Sequence, residues 1–444
     1  MGDLSGSVLI VIFSVTIVIS YFFTVLSKKT GIPSVLMLIF LGILINSALT
    51  ISGSGSYNFK SPGSNILEVL GVVGLILIVL EAALDLRLKK EKLPLIFKSF
   101  FVALLSLAGT SYLGALVLGC FVENMLFSTA LLYTIPMSIL SSAILLPSVG
   151  GLDKDKREFL IYESTFSDII GIVSFTIILA TSVGSGDAGI YGESFSRLFL
   201  TVLFSVISSY FLIYIFQKIQ GKTKLFLLIA ILVLLYVLGD MLGLTSLLII
   251  LIFGIVLNNR DLFFKGRLSV LIDSEKTDSV LDDFKVITAE SAFVVRTFFF
   301  IIFGWSISLL SLVYNKANGE WTFKVFVIGF FLLLTIYLVR FLVLLVFVRK
   351  SVWPQVFLSP RGLLTILLFY AIPTNITPET SFDFEGVLLF IILASCLIMS
   401  WALIKNRKKE EKIDIQPVVE TKKTPLEDKE GKNDKTGLED DYNN

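Results

Sequence analysis

About thirteen apolar runs, each of ~20 residues, limit what this chain can become, because each is long enough to cross ~30 Å of hydrocarbon as a helix. They fall near 7–26, 32–51, 65–86, 95–119, 126–148, 157–181, 195–217, 223–239, 243–258, 288–311, 323–348, 354–374 and 384–404. A lipid-exposed backbone must satisfy its own hydrogen bonds, so runs of this length read as helices, and the predicted class is an all-α polytopic membrane protein. Composition agrees: 55% of the 444 residues are hydrophobic and only 16% charged, where a soluble domain has roughly a quarter charged. A net charge of +1 argues against nucleic acid as a partner. The two cysteines, Cys120 and Cys396, lie in apolar runs without CxxC spacing, so neither a disulfide framework nor a metal cluster is expected. Histidine is absent, which leaves proton chemistry near neutral pH to carboxylates or to a perturbed lysine.

Orientation follows from the short loops. Alternate loops carry Lys28–Lys29, then Arg87 to Lys92, Lys154 to Arg157, Lys218 to Lys224, Arg260 to Lys276, Arg349–Lys350 and the Lys405–Lys409 cluster. The intervening loops hold few basic residues, among them Lys60 and Lys316. Positive charge is retained on the cytoplasmic side, so thirteen crossings with the N-terminus outside and the C-terminus in the cytoplasm are predicted. The first run lacks a preceding basic segment and a small-residue cleavage site, and reads as a retained helix. A short interfacial helix is expected in the loop near 259–287. Residues 405–444 are charged and poor in aromatics and read as a disordered cytoplasmic tail without a fused nucleotide-binding domain.

Two runs contain helix breakers. The fifth holds Tyr133-Thr134-Ile135-Pro136-Met137-Ser138-Ile139-Leu140-Ser141-Ser142, and the twelfth holds Ser359-Pro360-Arg361-Gly362. Proline removes one backbone hydrogen bond and obstructs another, and the freed groups are tolerated at membrane depth where they line a polar site. Taking runs 1–6 and 8–13 as two halves, each interrupted segment is the fifth of its half, and the halves begin on opposite sides of the membrane. That is the pattern of two inverted six-helix repeats whose broken helices cross at a central site. A pair of incidental proline kinks is the alternative reading.

Ionisable residues at membrane depth are rare and costly, ~2.5–3.5 kcal/mol or more at a helix centre, and they mark ion or proton paths. The sixth run begins Tyr162-Glu163-Ser164-Thr165-Phe166-Ser167-Asp168. Ser164 and Asp168, four apart, share a helix face, with Ser167 beside them. A carboxylate among hydroxyls and free carbonyls supplies the hard oxygen ligands that a monovalent cation needs in place of water, and the same carboxylate can hold a proton. The two would compete for one site. A carboxylate that only tethers a neighbouring helix is the alternative for Asp168. Glu163 faces elsewhere and calls for a cationic partner, with Arg340, Arg361 and Arg296 as candidates; such a pair holds elements in register. Glu81 and Asp85 lie at the cytoplasmic end of the third run beside Arg87 and Lys89, where a solvated ion pair and a functional role are equal expectations.

The stretch Glu163-Ser164-Thr165-Phe166-Ser167-Asp168 resembles the Glu-Ser-x-x-Asn-Asp motif of the sodium/proton exchanger branch, of NhaP and NHE type, of the cation:proton antiporter superfamily. Leu80-Glu81-Ala82-Ala83-Leu84-Asp85-Leu86-Arg87 is similar to that family's third-helix Phe-Glu-Gly-Gly-Leu segment, and Gly31-Ile32-Pro33 with Gly42 to its second helix. Phe298-Phe299-Phe300 with Gly304, Val339-Arg340-Phe341 and Ser359-Pro360-Arg361-Gly362-Leu363 resemble its tenth, eleventh and twelfth helices. The likeness spans essentially residues 1–404, the expected transmembrane domain.

The resemblance implies an NhaA-like antiporter fold and an elevator mechanism. Core helices at about 95–181 and 323–404 would carry the ion against a dimer scaffold at about 7–86 and 223–311. It implies Asp168 as the shared cation and proton carboxylate, with Ser164, Ser167, Ser141 and Glu81 as further ligands, a structural Glu163–Arg340 pair, and broken-helix positions Pro136, Ser142, Pro360, Arg361 and Gly362. No cofactor is implied beyond the transported Na+ or K+ and H+; the other partners are membrane lipids and a second copy in a homodimer in the cytoplasmic membrane. Two departures stand out. Ser167 replaces the family's asparagine, and Ser142-Ala143 replaces an Asp-Pro. One titrating site then remains, so electroneutral exchange of one Na+ for one proton is expected. K+/H+ exchange, or a gated cation channel or non-transporting sensor on the same scaffold, is the alternative; no enzyme activity is expected.

Overall fold

The computed structural model describes residues 6–51, 65–183, 189–218, 224–264, 274–306, 312, 314–315, 320–321, 323–348, 352–373, 376 and 384–414. Eleven of the apolar runs carry a single helix: α1 (Gly6–Thr30), α2 (Ser34–Ile51), α3 (Asn65–Asp85), α4 (Leu93–Phe121), α7 (Lys154–Val183), α8 (Gly189–Lys218), α9 (Lys224–Met241), α10 (Ser246–Asn258), α12 (Ser274–Ser306), α13 (Lys324–Val348) and α15 (Phe384–Asp414). Six described stretches are long and apolar enough to cross a bilayer by themselves, Lys90–Phe121, Phe127–Ser148, Lys154–Ser182, Leu281–Trp305, Lys324–Val348 and Phe384–Asn406. Side chains such as Ile10, Phe22, Phe211 and Phe226 are well exposed on the outer faces, as lipid-facing positions require.

Several boundaries differ from the sequence expectation. The fifth run is two helices, α5 (Phe127–Ser138) and α6 (Ser142–Ser148). The twelfth run is not a helix from 354: it is a 3-10 turn at Gln355–Phe357, an extended stretch, and only then α14 (Leu363–Tyr370). The expected interfacial helix is a single turn, α11 (Arg260–Phe263), and residues 265–273 of that loop lie outside the described residues. α12 starts at Ser274 rather than near 288, and Leu281, Phe284 and Thr288, at helical spacing, are buried on its inner face. The expected tail also needs correction. α15 continues past Lys405 to Asp414, through a Lys/Glu-rich sequence with high helix propensity; residues 415–444 lie outside the described residues. A two-residue antiparallel pairing, Tyr314 with Trp321 and Asn315 with Glu320, precedes α13.

Packing sorts the helices into two groups. α4, α5, α7, α13, α14 and α15 pack mainly on one another, and α2, α3, α8, α9, α10 and α12 form the second set, with α1 on α2 and α12. Contact between the sets is thin, chiefly α7 with α8 and α10, and α6 with α1 and α3. In the second set α2 and α12 cross at a glycine on each: a Cβ on Gly42 would overlap the Ile301 carbonyl oxygen, and one on Gly304 that of Ile39. Small residues permit that close backbone approach in lipid. A hydrogen-bonded clasp closes one end. Asn259 accepts from the Leu88 amide at 2.5 Å and donates to the Leu86 carbonyl at 2.7 Å, and the Tyr162 hydroxyl reaches the Arg87 carbonyl at 2.7 Å.

Candidate functional site

Where α5 stops, the chain solves the backbone problem that its proline creates. Pro136 sits inside the last turn, the helix continues to Ser138, and Ile139 to Ser141 run extended, so the break falls three residues beyond the proline. The opposing break spans Leu358–Gly362. The two extended stretches bond directly: the Ser141 amide donates to the Pro360 carbonyl at 3.0 Å. The Leu140 amide donates to Ser167 Oγ at 2.9 Å, and the Arg361 amide to Ser395 Oγ at 3.0 Å. Buried backbone groups freed by a break need partners of this kind. The approach is close enough that a Cβ on Gly362 would overlap Ser141 Oγ.

Asp168, on α7, lies beside this crossing and is buried. Ser142, the first residue of α6, donates its hydroxyl to Asp168 Oδ2 at 2.5 Å, whereas Oδ1 has no hydrogen-bond partner among the described residues. The carboxylate borders a cavity of about 20 Å³ with Ser141, Ser142 and Ala143 on one side and Ile78, Val79 and Ala82 of α3 and Leu251 of α10 on the other. That is room for one water-sized occupant. The cavity therefore lies between the two helix groups. A buried carboxylate with one open oxygen needs a proton or a cation to complete it, and Ser141 and Ser142 add hydroxyl oxygens.

Glu163 has 1% exposure and is held by Arg340 on α13, 3% exposed, through Nη1–Oε1 at 2.5 Å and Nη2–Oε2 at 3.1 Å. The same guanidinium donates to the Gln355 carbonyl at 3.1 and 3.2 Å and to the Leu358 carbonyl at 3.4 Å. One arginine thus ties α7 to the start of the second break. Of the other candidate partners for Glu163, Arg296 bonds Glu81 at 3.1 Å instead, and Arg361 makes no hydrogen bond to it.

The remaining predicted site residues separate by position. Ser141, Ser142, Asp168 and Gly362 come together at the crossing. Ser167 braces Leu140, and Ser164 turns its hydroxyl to the Ile161 carbonyl at 3.2 Å rather than to Asp168. Glu81 lies off the cavity, committed to Arg296. Pro136, Pro360 and Arg361 shape the breaks. Sequence reasoning placed Ser142 at the first break but missed it as the direct hydrogen-bond partner of Asp168. It also missed Gln355 and Ser395, whose roles arise from backbone contacts that no local pattern encodes.

A protein-family model described as the transmembrane sodium/hydrogen exchanger matches residues 14–405. Among solved structures, the chain is similar to the sodium proton antiporter MjNhaP1 from Methanocaldococcus jannaschii at pH 8, at 22% identity and a TM-score of 0.63, covering 89% of this chain and 97% of that one. An electron-microscopy structure of the same antiporter gives 19% identity and a TM-score of 0.59 over 93% and 99% of the two chains. No curated protein matches the sequence.

Proposed function

The chain belongs to the sodium/hydrogen exchanger family, a multi-pass membrane protein family of transporters rather than enzymes, and from that premise we propose that it exchanges one Na+ for one proton at Asp168. The observation that carries this reading is the half-satisfied carboxylate: Oδ2 is held by Ser142, Oδ1 has no hydrogen-bond partner among the described residues, and Asp168 borders a one-occupant cavity between two helix groups. A proton on Oδ1 and a cation bridging Oδ1 to the hydroxyls of Ser141 and Ser142 are mutually exclusive ways of filling it. Competition at a single site is itself the coupling, since each face of the membrane offers either occupant and the empty ionised form is costly to carry through a low-dielectric interior.

The rest of the proposal concerns movement and assembly. The group containing α4 to α7 and α13 to α15 would slide as the elevator core on the thinly contacted group of α2, α3, α8, α9, α10 and α12, which would hold the homodimer interface. Thirteen crossings in two inverted repeats, with an outer N-terminus, a cytoplasmic C-terminus and residence in the cytoplasmic membrane, complete the arrangement. Crossed extended segments bonded through Ser141 and Pro360 support it. The test is sodium-driven proton movement in proteoliposomes: Asp168→Asn is expected to reduce exchange to the protein-free background. Full activity in that variant sinks the assignment, and sodium flux without proton counter-movement marks a channel.

A further inference from the structure

A second small cavity, of about 10 Å³, lies on the other side of the crossing, bordered by Leu140 and Ser167 where the Asp168 cavity is bordered by Ser141, Ser142 and Asp168. Its polar wall differs in kind. Arg361, 3% exposed, lines it, and its Nε and Nη1 have no hydrogen-bond partner among the described residues. Ser106 and Ser359 line it too, and their hydroxyls are equally unpartnered. No carboxylate oxygen that borders the cavity is left for Arg361, since both Glu163 oxygens bind Arg340, and Ser167 Oγ already accepts from Leu140.

Charge is as one-sided as hydrogen bonding. Arg340 and Arg361 bring two positive charges to the cavity wall against the single carboxylate of Glu163. Asp168 is not on this wall; it borders the other cavity and is bound by Ser142. A guanidinium with free donors and no counter-charge is strongly unfavourable in a membrane interior, and a neutral water would satisfy donors without neutralising it. The volume admits one occupant of about water size. We infer that the cavity lined by Arg361, Ser106 and Ser359 is a binding site for one small monovalent anion of the halide class. The anion takes charge-assisted bonds from Arg361 and hydroxyl bonds from the two serines, and it neutralises the second break from the side opposite the cation site.

The site is tested by binding, with no reference to ion exchange, so failure of the transport reading leaves it standing and the reverse also holds. The purified full-length chain in detergent is melted in sodium chloride, sodium bromide and sodium gluconate at matched sodium concentration, and assayed for retention of radioactive chloride. Chloride and bromide are expected to raise Tm by roughly 2–4 °C over gluconate, as a ligand bound only by the folded state does. About one chloride per chain is expected to be retained. Arg361→Gln is expected to abolish both signals, and Ser106→Ala to weaken chloride binding about tenfold, the loss of one hydrogen bond to a charged partner. If Arg361→Gln does not fold, the Ser106→Ala chloride titration decides. Equal Tm in chloride and gluconate with no retained chloride means that water fills the cavity and overturns the inference; so does a chloride response unchanged in Ser106→Ala.

Discussion

Ser142 and Asp168 differ in what each contributes to one site. In the proposed exchange Asp168 supplies the charge that a proton or a cation meets, while Ser142 holds Oδ2 and Oδ1 has no hydrogen-bond partner among the described residues. Ser142→Ala removes an oxygen ligand but keeps the charge, so exchange should persist with apparent Na+ affinity about tenfold weaker, as befits one charged hydrogen-bonding partner worth ~1.5 kcal/mol; a sodium titration of exchange rate reads this. Arg340 behaves differently, because its fork meets both Glu163 oxygens and two backbone carbonyls at once. Lysine keeps the charge and loses the fork. Arg340→Lys is therefore expected to lower stability by ~3 kcal/mol, the scale of a disrupted buried pair, seen as a fall in Tm in detergent with Na+ affinity of the surviving fraction unchanged. At this scale the sequence was readable where a charge had to be explained: Asp168, Glu163 and Arg340 stand out in an apolar chain. The partner of Glu81 was not readable, since Arg296 is distant in sequence and only the packing of α12 on α3 brings it near.

The two breaks act as one element. Ser141 bonds to Pro360, Leu140 to Ser167 and Arg361 to Ser395, so each break is tied to other segments as well as to its own chain. Gly362 is where that junction has no room for a side chain. Gly362→Val should push the stretches apart and uncouple Ser141 and Ser142 from Asp168, abolishing exchange. Its stability cost should be only the ~1–3 kcal/mol of local overpacking, so a folded dead protein, detected by a near-normal melting curve without sodium-driven proton flux, is the expected result. An unaffected exchange rate would show that the junction is not needed for binding. Proline and glycine marked both breaks in advance; the first lies within the expected Tyr133–Ser142 stretch, three residues beyond Pro136, whereas the helix expected from 354 before the second is absent. Pro136 is accommodated within the final turn of α5, and Trp353 to Phe357 turns because Arg340 captures the Gln355 and Leu358 carbonyls. Those causes are tertiary, and local propensity does not contain them.

The charge carried across the membrane is a property of all the helices together, because it depends on which carboxylates already have a cation. Among the described residues at membrane depth, Glu163 is paired with Arg340 and Glu81 with Arg296, whereas Asp168 is bonded by Ser142 and by no cation. Apolar run length and loop charge made the multi-pass, all-helical architecture legible from the chain alone, and the isolation of Asp168 within it required the fold. If Glu163 travels with Arg340 as a neutral unit, while Glu81 and Arg296 stay in the other group, the moving group carries one variable charge, Asp168, and carries it neutralised in both directions, by Na+ one way and H+ the other. Exchange should then be electroneutral. The magnitudes make this a sharp test: moving one net charge through the full potential is worth about 2.3 kcal/mol per 100 mV, or roughly a fifty-fold change in rate. Proteoliposomes clamped with a potassium gradient and valinomycin should show sodium/proton exchange that varies by less than about twofold over such a step, at fixed sodium and proton gradients. A dependence approaching the larger figure would require a second proton to travel with Asp168, and Glu163 would have to release Arg340 in the transport cycle to supply it.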